Sequence, residues 1–263
     1  MSSPAFGYTA GKNLLRNEND DSERTIPVSE QFGPTIQGEG PYAGRTVQFL
    51  RTGGCNLSCS WCDTPYTWDG ENYDLRAELH PKTVAQIVED AIPNMIMVIS
   101  GGEPLLHQNN PGWEWLLAGL NHKGIEIHLE TNGTIAPNDV TKKWASYASV
   151  SPKLDHAGPH RGKQDPTMDP GWSKYVTSMR GWHALAKNST IKFVVENAED
   201  VDEALDIATK AGWPKSRVWV MPEGVSTEAL QAKWPAVAKR AAELHINATH
   251  RIHVLAFGDT KGT

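Results

Sequence analysis

A chain of 263 residues, 39% of them hydrophobic, is long enough to bury a substantial core. Its formal net charge of −6 argues against a broad nucleic-acid-binding face. No apolar run approaches the ~18 residues of a membrane span, and the opening MSSPAFGYTAGKNLLRNENDDSER lacks the apolar core of a secretory signal. With cysteines that read as reduced, these points predict a cytoplasmic protein with no membrane and no direct nucleic-acid partner.

In chain order, residues 1–25 read as a polar N-terminal extension and 26–263 as a single domain. A β-like stretch at Thr46–Arg51 enters a cysteine-bearing loop, and a connector rich in Pro, Trp and Asp runs from Thr64 to Pro81. Val84, Ile87, Val88 and Ala91 recur at helical spacing and predict a helix over Thr83–Ala91, stopped by Pro93. Strand Met95–Ser100 then enters GGEP, and helix Gly112–Leu120 precedes strand Ile125–Glu130 and the turn TNGT. Strand Ala148–Ser151 enters SPK, and the Gly-, Pro- and His-rich stretch Pro159–Trp172 reads as a mobile loop over the site. Strand Thr190–Glu196 precedes helix Asp200–Ala211, strand Arg217–Met221 enters PEG, and helix Thr227–Glu243 leads to a last strand, Arg251–Leu255. Repeated strand–turn–helix units predict an α/β fold with a mostly parallel sheet, helices outside, closing into a full or partial barrel.

GGEP, ETNGT, SPK and MPEG each follow the carboxyl end of a predicted strand. In parallel α/β architectures those ends share one face, where ligand sites form. Each motif alone is an ordinary βα turn; all four beside a cysteine loop predict one site assembled from several strands.

The three cysteines of the chain, Cys55, Cys59 and Cys62, fall within CNLSCSWC. Iron–sulfur clusters are usually held by four cysteines, so the spacing C-x3-C-x2-C predicts a cluster with one open iron. A disulfide framework would want an even count in a small secreted chain. A structural zinc site remains the alternative, with His80 or His107 as a fourth ligand, although neither lies at the usual pair spacing.

The cysteine spacing followed by GGEP resembles the radical S-adenosylmethionine (SAM) superfamily. The resemblance implies a partial or modified TIM-like (β/α) barrel of the radical SAM type. It also implies a 4Fe–4S cluster on Cys55, Cys59 and Cys62 whose open iron is chelated by SAM, and a 5′-deoxyadenosyl radical that abstracts hydrogen from substrate. By position, Trp61 would lie against the adenine, and Gly101, Gly102 and Glu103 would receive the SAM amino group through backbone carbonyls and the carboxylate. Glu130 and Asn132 would meet the ribose, and Ser151 and Lys153 other polar groups of SAM.

A narrower resemblance covers nearly the whole chain after residue 25. VSEQFGPTIQGEGPYAGRTVQFLRTGGCNLSCSWCDT, GGEPLL, ETNGT, SPK and RIHVLAFGDTKGT are similar to the 7-carboxy-7-deazaguanine synthase family. That family is a carbon–nitrogen lyase family. It contracts 6-carboxy-5,6,7,8-tetrahydropterin to 7-carboxy-7-deazaguanine with release of ammonia, for queuosine and other 7-deazapurines. The resemblance implies Ile36, Gln37, Gly38, Glu39, Arg51 and Ser100 at the pterin and Thr64 on Mg²⁺. It further implies an electron donor such as flavodoxin or ferredoxin, and a homodimer. Ser100 stands where the family often has Thr, with the hydroxyl kept. The residue chemistry agrees with these assignments: Glu39 can accept from an amidine-like edge, Gln37 can donate and accept, and Arg51 can pair a carboxylate bidentately. Two other readings stay open at this point, a radical SAM activase of a glycyl-radical partner protein and a zinc-binding interaction module.

Overall fold

The computed structural model describes residues 24–158, 188–258 and 260–263. The N-terminal extension up to residue 23 and the loop Pro159–Trp172 therefore lie outside the described residues. Among the described residues nine strands form one sheet: β1 (Thr25–Ile36), β2 (Thr46–Thr52), β3 (His80–Thr83), β4 (Ile96–Gly101), β5 (Ile127–Thr131), β6 (Tyr147–Val150), β7 (Ser189–Val195), β8 (Val218–Pro222) and β9 (Asn247–Ala248). Their order is β3-β1-β2-β4-β5-β6-β7-β8-β9, so the sheet stays open between β3 and β9 as a partial TIM-like barrel. From β2 onward every neighbouring pair is parallel. β1 runs antiparallel to both β2 and β3.

Seven α-helices are present among the described residues: α1 (Leu75–Glu78), α2 (Val84–Asp90), α3 (Pro111–His122), α4 (Asp139–Trp144), α5 (Ala198–Lys210), α6 (Thr227–Leu244) and α7 (Ile252–Phe257). Local sequence explains their starts. Thr83 and Gln86 close a reciprocal capping box on α2, Asn110 caps α3 ahead of Pro111, and Asn197 and Ser226 cap α5 and α6. β4 is buried along nearly its whole length and β7 along all of it because both faces are covered. Trp113, Leu116, Leu117 and Leu120 of α3 are fully buried in the same core as Ile87 and Val88 of α2, each side chain contributing roughly 1.5–3 kcal/mol. No described helix is long and apolar enough to cross a membrane.

Five elements differ from the sequence expectation. The stretch Arg251–Leu255 is not a strand. Residues Ile252–Phe257 are helical, and the last strand is the two-residue β9. The alternation R-I-H-V-L imitates a strand period, yet only Val254 of α7 is buried, and Leu255 and Phe257 are exposed. The helix begins where Ile252 N donates to Gly38 O at 3.0 Å and ends at Gly258. β1, β3 and the short helices α1 and α4 have no counterpart in the expected elements; Asp74 caps α1 within the expected connector, and Asn138 caps α4. Pro27, Gly33 and Pro34 interrupt the apolar pattern of β1, and β3 is a short polar HPKT segment whose strand form comes from pairing with β1.

Candidate functional site

The carboxyl ends of β2 and β4–β8 surround one cavity, lined by Cys55, Cys59 and Cys62 and by residues of all four strand-end motifs. The cluster loop leaves β2 and is locked to the GGEP turn by backbone. Gly102 N donates to Thr52 O at 3.2 Å and Glu103 N to Gly54 O at 2.8 Å. A Cβ on Gly102 would lie 2.1 Å from Gly54 O, and one on Gly101, at φ +143°, would lie 2.2 Å from Thr52 O. Only glycine fits this contact.

The thiols are suited to a metal cluster. Burial pushes Cys55 up to about 12, offset in part by the Leu57 N–H and reinforced by Glu103 and the other two thiols. Burial also raises Cys59, against the pull of Lys153. Yet N–H donors already aim at the sulfurs, Leu57 N at Cys55 Sγ (3.4 Å) and Trp68 Nε1 at Cys62 Sγ (3.3 Å). Buried thiolates with donors in place call for a positive centre between them, which a cluster provides. Neither histidine of the zinc alternative joins them: His107 Nε2 bonds Gly53 O at 2.8 Å, and His80 is exposed on β3.

The remaining cofactor-side residues gather as expected, with one correction. Trp61, Gly101, Gly102, Glu130, Asn132, Ser151 and Lys153 line the cavity. Asn132 Nδ2 donates to Asn56 Oδ1 at 2.8 Å, and Lys153 Nζ to Ser151 Oγ at 2.9 Å. Glu103 does not present its carboxylate to the cavity. It is fully buried and accepts from Thr131 Oγ1 (2.8 and 2.9 Å), Asn132 N (2.7 Å) and Leu105 N (3.0 Å). Burial raises its carboxyl despite those donors. Three donors hold both oxygens, the Thr131 hydroxyl lying between them, so the side chain builds the ETNGT turn and does not face the cavity.

A second cavity adjoins the first and shares Glu39, Asp63, Thr64, Ser100, Glu130 and Arg251 with it. Ile36, Gln37, Gly38 and Arg51 line this second space. Gln37 Nε2 donates to Glu130 Oε1 at 3.0 Å. Arg51 Nε is held by Glu30 Oε2 at 2.7 Å, and Thr64 Oγ1 lies 3.7 Å from Cys62 Sγ. Gly38 touches His253 so closely that a Cβ would sit 1.6 Å from its Nδ1.

Sequence reasoning missed the charges that organise the junction, where Asp63 and Arg251 line both cavities beside Glu39 and Lys192 lines the first. Glu39 Oε2 accepts from Lys192 Nζ, and Oε1 from Arg251 Nε at 3.0 Å. Arg251 also donates to Gly224 O at 2.7 Å and to Asp63 Oδ2. Burial works against the Glu39 carboxylate, but the Lys192 and Arg251 charges outweigh it and hold the group well below the usual range. Lys192 is raised in turn: burial opposes its charge, and Glu39 and Glu130 overcome that. One signal was visible, a lysine inside the apolar strand STIKFVV. Arg251 carried none, because its segment imitates a strand.

Comparison with known proteins agrees with this geometry. Residues 49–231 match the Radical SAM superfamily. The 7-carboxy-7-deazaguanine synthase of Hyperthermus butylicus is 35% identical over 248 residues, covering 91% of this chain and 96% of that protein. Proteins of the same name from Pyrobaculum aerophilum (32% identical, 90% of this chain and 97% of that one) and Rhodopirellula baltica (30% identical, 92% and 90%) are similar over the same extent. The crystal structure of QueE from Escherichia coli superposes with a TM-score of 0.59 at 19% identity, covering 93% of this chain and 99% of that one, which shows a shared fold.

Proposed function

The chain belongs to the radical SAM superfamily and, within it, to the 7-carboxy-7-deazaguanine synthase family, and on that premise we propose that its joined cavities carry out this ring contraction. The substrate is 6-carboxy-5,6,7,8-tetrahydropterin, the products 7-carboxy-7-deazaguanine and ammonia. The observation that carries the reading is the junction itself. The cysteine-lined cavity and the Gln37–Glu39–Arg51 cavity share Glu39, Asp63, Thr64, Ser100, Glu130 and Arg251, so a cofactor in one reaches a small substrate in the other.

When bound, a 4Fe–4S cluster and SAM supply the electron and the hydrogen-abstracting group. Cys55, Cys59 and Cys62 would hold the cluster. The carbonyls of the GGEP turn would receive the SAM amino group, Lys153 its carboxylate, Glu130 and Asn132 its ribose, and the Trp61 ring its adenine. At the other end Glu39 and Gln37 would take the donor edge of the pterin and Arg51 its carboxylate. Glu39 reaches that task with Lys192 and Arg251 already fixing its orientation, so substrate need not reorganise it. Thr64 offers one hydroxyl oxygen to both cavities. A near-octahedral Mg²⁺ there would draw its other ligands from substrate and water. The reading includes reduction by a donor such as flavodoxin or ferredoxin, a homodimer, and a cytoplasmic setting.

The test is anaerobic reconstitution with iron and sulfide, then reaction with SAM, reductant, Mg²⁺ and the carboxypterin. We expect 7-carboxy-7-deazaguanine by mass and ultraviolet spectrum. A protein with a full cluster that cleaves SAM and yet makes no deazaguanine would defeat the substrate assignment.

A further inference from the structure

His156 makes a set of contacts that the proposed function leaves unused. It lies in the single turn Asp155–Ala157, just after Lys153, and its side chain is 14% exposed. The Trp61 indole N–H donates to His156 Nδ1 at 3.1 Å, and the two rings stack with centroids 5.7 Å apart at 29°. His156 Nε2 lies 3.1 Å from Val194 O. An indole nitrogen only donates, so Nδ1 must accept and the ring proton of neutral His156 sits on Nε2. That is the tautomer the Val194 carbonyl requires. The next residue completes the clamp, since Ala157 O accepts from Ser60 N at 2.9 Å and Ser60 Oγ at 3.2 Å.

His156, Glu196 and Asp200 also lie close enough together for a cation. However, Nδ1 is taken by Trp61, and Asp200 Oδ2 accepts from Glu196 N at 2.7 Å. This ring is built to hold an indole, not a metal.

We infer that His156 is a positioning residue that fixes the plane of Trp61 for adenine, tying the cluster loop to the carboxyl end of β7. The inference rests on the reading of Trp61 as the adenine platform. Two hydrogen bonds pass through one imidazole, and one of them sets the indole. Without that acceptor the indole keeps its place in the loop but loses its fixed tilt, so SAM binds more weakly while the cysteines still hold a cluster.

Three replacements separate the roles. His156→Asn puts a carbonyl oxygen near the Nδ1 position and keeps an acceptor for Trp61. His156→Gln puts an amide nearer the Nε2 position and keeps the tie to Val194 O. His156→Phe keeps a ring and loses both bonds. Each reconstituted protein is assayed for iron content, and SAM is titrated against the electron paramagnetic resonance spectrum of the reduced cluster.

We expect wild-type iron content throughout and SAM affinity within about twofold of wild type for His156→Asn. His156→Gln and His156→Phe should weaken SAM about tenfold, the size of one lost hydrogen bond. The KM for SAM should rise with little change in kcat. His156→Phe should add nothing in a Trp61→Leu background. Wild-type affinity in His156→Gln with loss in His156→Asn would assign His156 to the Val194 tie alone and overturn the inference. Loss of iron in all three variants would assign it to loop folding and overturn it equally. If Trp61→Leu weakens SAM and His156→Phe does not, this inference falls alone. If Trp61→Leu leaves SAM binding unchanged, the adenine reading of Trp61 falls and takes the inference with it.

Discussion

The two halves of the joined cavity are built by different physics. The cysteine side is held by backbone contact and hydrogen bonds among strand-end turns: Gly102 on Gly54, Glu103 under Thr131 and Asn132, Asn132 to Asn56. The substrate side, where it meets the first cavity, is held by charges brought from far apart in the chain, with Lys192 153 positions from Glu39 and Arg251 212 positions from it. A site for an invariant cofactor can be rigid backbone. A site that reads a substrate's donors and carboxylate needs charges, and buried charges must be paired before the substrate arrives.

That contrast can be broken most sharply at Glu39. Glu39→Gln leaves Lys192 buried without its closest anion and should cost about 3–5 kcal/mol in chemical denaturation. Glu39→Gln combined with Lys192→Met should recover part of that loss, whereas additive losses would mean the pair is not coupled. The difference between wild type and Glu39→Gln should also depend on pH in a defined sense. Glu39 is held below its ordinary value of 4.5, so its stabilisation is complete above that pH and fades as pH falls through the folded value. Lys192 is held above its ordinary 10.5, so its stabilisation is complete below that pH and fades as pH rises through its folded value. The stability gap should therefore be flat from about pH 5 to pH 10 and shrink on both sides. A gap that peaks or vanishes inside that window would contradict the ion-pair account.

In the other half, Gly102→Ala drives a Cβ into the Gly54 carbonyl and should destabilise by about 1–3 kcal/mol. Its distinguishing readout is iron per chain, which should fall because the cysteine loop must move; full iron occupancy would show that the two turns are not locked. Arg51→Ala tests the substrate half without touching the cluster. The pterin KM should rise about tenfold, the equivalent of one charge-assisted hydrogen bond, while SAM affinity stays unchanged. Thr131→Val removes one donor from the Glu103 carboxylate and should cost about 1 kcal/mol in thermal or chemical unfolding, with no change at pH 7 in pterin KM.

The same contrast decides what could be read in the sequence. The cofactor half was legible because its parts are local: a cysteine triplet in eight residues and turns that each end an apolar strand. The parallel order was legible for the same reason, since every βα unit announces itself by a change of period. Glu103 was misplaced because a carboxylate in a loop motif looks like a ligand until its neighbours are known to bury it and bond both its oxygens. The charge network escaped because pairing across more than 150 positions leaves no local trace. Arg251 was hidden further by a helix whose residues alternate like a strand. β1 and β3 were missed because their strand form is imposed by pairing, β1 with β2 and β3 and β3 with β1, and not by their own composition.

The contact of Gly101 and Gly102 with Thr52 and Gly54 has one more consequence. Two turns that touch backbone to backbone have no side chain between them that could adopt another rotamer. The glycines therefore set the spacing of this cavity wall by main chain alone, and residues without side chains become the ones that substitution can least alter.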